Sequence, residues 1–303
     1  DLHSFPTRRS SDLHIVALVL LAGAASYGRL RPYLVFGLPT ATGTAAKLAC
    51  SGVFVSGRSL QEVVRDDIDR LSPLTRGARY DLDSTRQSVT TSMFGLAKRT
   101  ALYRPGVGCT LLNDTDRQSL LRQASGIGEP AQAVRAEPWP AGDSVDLNEL
   151  PEGVDAVALT RAVARAFEED TPAKDIDTRA MIVVYGGRIV AERYAPGYTQ
   201  NTRFLGWSAS KSVLGTLVGT LVIDGRLMLD DPAPVPEWQG PGDARREITL
   251  NHLLRMSSGL AFSEPYNPGS DSTIMLFLRG DMGGFAAAKP LAHPLYGDRK
   301  SVV

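Results

Sequence analysis

Ser208 and Lys211 place a hydroxyl and an amine three residues apart, at the head of the apolar run Val213-Leu214-Gly215-Thr216-Leu217-Val218. On a helix, residues i and i+3 share a face, so the Lys211 amine would lie beside the Ser208 hydroxyl. A serine alcohol is a poor nucleophile until a base removes its proton, and a desolvated lysine is such a base. The chemistry this pair could do is acyl transfer through a covalent intermediate. Other nucleophile frameworks are missing. Gly206-Trp207-Ser208-Ala209-Ser210 lacks the second glycine of a nucleophile elbow, and there is no phosphate-binding loop or dinucleotide fingerprint. Two distant cysteines and histidines at 14, 252 and 293 have no metal-ligand spacing, so neither metal nor cofactor is expected.

The elements needed to hold the pair can be read around it. A helix over 208–224 would stop at Gly225. Upstream, Ala180–Tyr185 and Arg188–Tyr194 are β-rich runs around Gly186-Gly187, a hairpin pattern. Before that, Leu159, Ala162, Val163, Ala166 and Phe167 fall at helical spacing, with Asp155 as cap. Downstream, Leu229-Asp230-Asp231-Pro232 reads as a turn, and Ile248–Met256 as a helix capped by Thr249. Helix, hairpin, helices is the order of an α/β or α+β layer, with helices against an antiparallel sheet.

The rest of the 303-residue chain divides by composition. Residues 1–13 and 298–303 resemble translated sequencing-adapter sequence and are set apart from fold reasoning. Residues 14–49 read as a signal or signal-anchor segment, carried by the uncharged run Ile15–Ala25, followed by a Pro/Gly/Thr-rich tether. Residues 50–112 read as a small extension with strands at Val53–Val55 and Val89–Leu96 and a helix over Leu60–Leu71; residues 113–152 read as a linker, and 153–297 as the main domain. Lysine plus arginine and aspartate plus glutamate are 33 each, which argues against a general nucleic-acid surface. In an exported chain, the lone Cys50 and Cys109 are expected to pair as a disulfide.

The hairpin, Ser208-Ala209-Ser210-Lys211, the Asp230-Asp231-Pro232 turn and Ile248–Leu260 together resemble the β-lactamase-related serine hydrolases. That group includes class C β-lactamases, D-alanyl-D-alanine peptidases, esterases and aminohexanoate-dimer hydrolases. Trp207 and Glu264-Pro265-Tyr266 look closest to the last of these. The resemblance covers about Ala180 to Pro290 and implies a serine β-lactamase/DD-peptidase-like fold. It implies Ser208 as the acylated serine, Lys211 as its base, the Ser208 N–H as one oxyanion donor, and Tyr266 as a substrate contact. His252 and His293 are expected to be structural. The family's Tyr-x-Asn or Tyr-x-Ser element and its late active-site strand find no match, since Tyr296 is followed by Gly297-Asp298-Arg299. The chain is therefore expected to be incomplete at its C-terminal side and a poor catalyst beside its complete parent.

What the resemblance implies is an exported, periplasmic or membrane-anchored serine hydrolase acting on a small amide or ester, associated with the membrane through its N-terminal segment. Two alternatives stay open: a non-catalytic envelope module that binds peptidoglycan or a partner, and a D-alanyl-D-alanine peptidase.

Overall fold

The computed structural model describes residues 31, 33–72, 75–129, 135–168 and 176–292. The adapter-like ends, the apolar run at 15–25 and His293 lie outside them. The chain forms two compact units, one made of residues up to 127 and from 205 onward, the other of 128–204.

In the first unit, a helix lies across a four-stranded antiparallel meander. The helix, α1 (Leu38–Cys50), is entered through Tyr33–Gly37 and continued by Ser51–Val55, both wound as π-helix. Pro39 sits in its first turn, where a missing N–H costs nothing. The strands are β1 (Ala78–Asp83), β2 (Ser88–Met93), β3 (Leu96–Arg104) and β4 (Gly108–Leu111), paired in chain order. Ala45, Ala46 and Ala49 on α1 are small enough to bring the helix down onto Val89 and Ala101 of the sheet, and all five are fully buried. The Thr42 hydroxyl donates to the Ala97 carbonyl at 2.7 Å, and the Thr91 hydroxyl donates to the Thr42 carbonyl at 2.6 Å. Cys50 and Cys109 are joined by a disulfide, Cα atoms 6.0 Å apart. Lys47 donates to the Cys109 carbonyl, and burial, with the Arg104 charge second, lowers its amine below the usual lysine range.

This arrangement differs from the tether and strand expected over 31–55. The threonines and glycines that gave the stretch its loop-like composition are what a helix needs when pressed against other elements. A Cβ on Gly52 would stand 2.4 Å from Val63 Cγ2, so no other residue fits there. Val63 belongs to α2 (Leu60–Val63), which starts in a reciprocal Ser59/Glu62 capping box and runs on through Val64–Ile68. Burial of Val63 and Ile68 is worth roughly 1.5–3 kcal/mol each relative to exposure. Within the stretch read as a linker, α3 (Arg117–Gln123) is capped by Asp116.

The second unit holds α4 (Ala156–Arg165), capped by Asp155, whose carboxylate accepts the Val157 and Ala158 N–H groups at 2.9 Å each. Its hairpin pairs β5 (Ala180–Tyr185) with β6 (Arg188–Tyr194) through Gly186-Gly187, both at positive φ. The Arg193 guanidinium lies 4.5 Å over the Phe167 ring.

From residue 205 the first unit resumes with α5 (Ala209–Ile223), α6 (Leu250–Leu254), α7 (Asp271–Leu278) and α8 (Met282–Ala287). Phe277 of α7 is buried in the core beneath α1, so this stretch folds onto the N-terminal sheet unit instead of standing apart as a separate domain. A second small core gathers Ala233, Trp238, Ile248, Leu260 and Ala287. Among the described residues, no helix is long and apolar enough to cross a membrane.

Candidate active site

The start of α5 is a tight turn. Trp207 adopts φ +42°, a left-handed conformation that a bulky residue seldom takes, and the chain then enters the helix at Ser208 with φ −67°. The N–H groups of Ala209, Ser210 and Lys211 donate to the carbonyls of Gly206, Trp207 and Ser208 at 2.8, 3.2 and 3.0 Å. These bonds engage the three donors after Ser208 and leave its own N–H ahead of the ladder, where helix starts have free donors. The Ser210 hydroxyl donates to the Trp207 carbonyl at 2.7 Å, holding the left-handed residue in place.

Across this turn the Lys211 Nζ donates to Ser208 Oγ at 3.0 Å. The pair is thus in direct contact. Both side chains are exposed, and no residue of α5 is buried, although the helix is apolar on most sides.

The segment after α5 is fixed by the Ile248–Leu260 stretch. The N–H groups of Ala233, Leu250 and Asn251 donate to the carbonyls of Ile248, Asp231 and Leu229 at 2.8, 3.2 and 2.8 Å. The Asp230-Asp231-Pro232 turn is therefore stitched to the head of α6. Thr249 caps α6, and His252 closes the box with its Nδ1 accepting the Thr249 N–H at 3.0 Å. This histidine is buried and serves the cap.

Tyr266 is exposed, and among the described residues no hydrogen bond joins it to Ser208 or Lys211. Its segment is pinned from below: the Ser272 hydroxyl contacts the Glu264 and Pro265 carbonyls at 3.0 and 3.1 Å, and Lys289 pairs with Asp271 at 2.5 Å. No group of three or more His, Cys, Asp or Glu is placed to hold a metal among the described residues.

Two supports went unread in the sequence. Trp238 Nε1 donates to the Ala287 carbonyl at 2.8 Å. Arg245, paired with Asp243 at 2.6 Å, donates to the carbonyls of Ala287 and Lys289 at 2.8 and 2.9 Å, closing the second core. The Asp-x-Arg spacing was the available signal, since Asp243 also caps the short helix Ala244–Glu247. Arg245→Ala is expected to cost about 1–2 kcal/mol, from two lost charged-donor bonds at a partly buried site, seen as a lower denaturation midpoint. The Arg245 guanidinium holds the Asp243 carboxyl down at about 2. A depressed carboxyl stabilises above its unfolded value near 4, and that contribution fades as pH falls through about 2. Acid titration of Asp243→Asn beside the parent checks this, since the variant should lack that transition.

A serine and a lysine in contact on one helical turn, in a chain of mixed helix and sheet, are the arrangement against which the comparisons are set. Residues 163–295 match the family model described as Beta-lactamase. A 6-aminohexanoate-dimer hydrolase of Paenarthrobacter ureafaciens is 35% identical over 119 residues, which is 38% of this chain and 30% of that protein. The chain thus spans about three tenths of the curated relative it matches.

Proposed function

We propose that this protein is a hydrolase of amides or esters that works through acylation of Ser208. The observation that carries the reading is the 3.0 Å contact from Lys211 Nζ to Ser208 Oγ. In the proposed sequence Lys211 accepts the Ser208 proton as Oγ attacks the substrate carbonyl. The Ser208 N–H donates to the oxyanion, the proton passes to the leaving amine or alcohol, and water then releases the acyl group. Short linear amides are favoured over β-lactams as substrates, on the likeness to a 6-aminohexanoate-dimer hydrolase and on Trp207 and Tyr266. Tyr266 is read as a substrate contact. Because the pair is open to water, the dry, preorganised surroundings that electrostatic stabilisation needs are not formed around it, and turnover by this 303-residue chain is expected to be slow. The apolar run at 15–25 and the Cys50–Cys109 pair support reading the protein as exported, with a membrane attachment at its N-terminal side.

The test is covalent labelling. A fluorophosphonate or penicillin probe should add its mass to the peptide carrying Ser208, and Ser208→Ala should abolish the adduct. A folded protein that no acylating probe marks would instead favour a non-catalytic binding module of the envelope. Comparison of a linear amide dimer with a D-alanyl-D-alanine stem peptide separates the amidase from the peptidase.

A further inference from the structure

The end of the first unit where α1 begins carries a feature that folding does not explain. Met93 pairs with Leu96, so β2 and β3 are joined by the two-residue turn Phe94-Gly95, with φ +52° and +73°. Such a turn asks for Asn-Gly or Asp-Gly, because a residue with a Cβ is strained at positive φ and a bulky aromatic is among the least suited. Here the strained position holds a phenylalanine that is 79% exposed, followed after the glycine by Leu96 at 64%. An aromatic that costs backbone strain and buries almost nothing points to a role outside the fold.

Its surroundings indicate what it meets. The Thr42–Ala97 and Thr91–Thr42 hydrogen bonds place the first turns of α1 level with this tip, so the entry to the helix, with exposed Tyr33 and Val35, emerges at the same end. Cations ring it: Arg31 before the helix, Arg76 and Arg79 at the start of β1, where Ala78 pairs with Met93, and Lys98 just past Leu96, all exposed. The Asp69 carbonyl accepts from Arg76 at 3.1 Å. Apolar and aromatic residues projecting from a collar of lysine and arginine match a bilayer interface, where the rings enter the acyl boundary and the cations meet phosphate headgroups.

We propose that the Phe94–Leu96 hairpin tip, with Tyr33, Val35 and its basic collar, is an interfacial contact for an anionic lipid bilayer. It is separate from the apolar run at 15–25 and does not depend on the hydrolase reading. The contact would lay the helix-entry end of this unit against the headgroups.

The experiment is sedimentation of the full chain with vesicles of phosphatidylcholine alone or mixed equally with phosphatidylglycerol. The parent should partition onto the anionic vesicles, less so at high salt. Phe94→Asn with Leu96→Ser installs the turn sequence the backbone prefers, so the thermal midpoint should hold or rise while partitioning falls about tenfold or more. Arg79→Glu with Lys98→Glu leaves the turn untouched and should remove the preference for anionic lipid. The run at 15–25 is present in every variant, so binding equal to the parent in both pairs overturns the proposal. Failure of the parent to bind either vesicle also overturns it.

Discussion

Ser208→Ala should lower the release of p-nitrophenol from an activated acyl ester to the background seen without protein, a loss as large as the chain's own slow turnover allows. Lys211→Met should fall nearly as far, because the alcohol and its base, 3.0 Å apart, act as one unit. The double variant should then be no worse than either single one. Ser210→Ala is the informative control, since the Ser210 hydroxyl is spent on the Trp207 carbonyl. Its loss should loosen the turn and slow the reaction by far less. If Ser210→Ala were the silent variant's opposite, abolishing turnover while Ser208→Ala kept it, the wrong hydroxyl would have been assigned. The effect should appear in kcat with little change in KM, because the bond to Ser208 forms only during reaction.

Removing the Cys50–Cys109 bridge should have the largest effect on stability. The bridge closes a loop spanning 59 residues, and in the chain-entropy model such a loop limits the unfolded chain by about 4 kcal/mol. Cys50→Ser with Cys109→Ser should shift the denaturation midpoint down by a corresponding amount, and reductant should do the same to the parent. The bridge joins the last residue of α1 to β4, so its loss frees the helix from the far edge of the meander. A midpoint unchanged by either treatment would mean the sheet and Phe277 hold α1 without it.

Local signals were readable because their causes are local. Asp155 and Thr249 cap the helices that follow them, Gly186-Gly187 turns the hairpin, and α5 stops before Gly225, whose φ is +67°. Each depends on a few adjacent residues and on backbone preference. The first half of the chain was harder. Residues 38–50 look like a tether by composition, and their helicity comes from packing against β2 and β3, partners about fifty residues away. Val53–Val55, expected as a strand from its β propensity, lies in the π-wound continuation Ser51–Val55, where close packing of Gly52 on Val63 holds the helical path.

The i, i+3 spacing of Ser208 and Lys211 belongs to the sequence alone: a helix started there puts both side chains on one face, and the structure brings amine to alcohol at 3.0 Å. Tertiary structure decided what surrounds that pair. It stitched Leu229 and Asp231 to the head of α6, used Arg245 to close the second core, laid α7 against α1, and left Ser208 and Lys211 open to water. Helical register is a property of neighbouring residues, whereas burial depends on segments that fold back from far along the chain, and no short stretch encodes it.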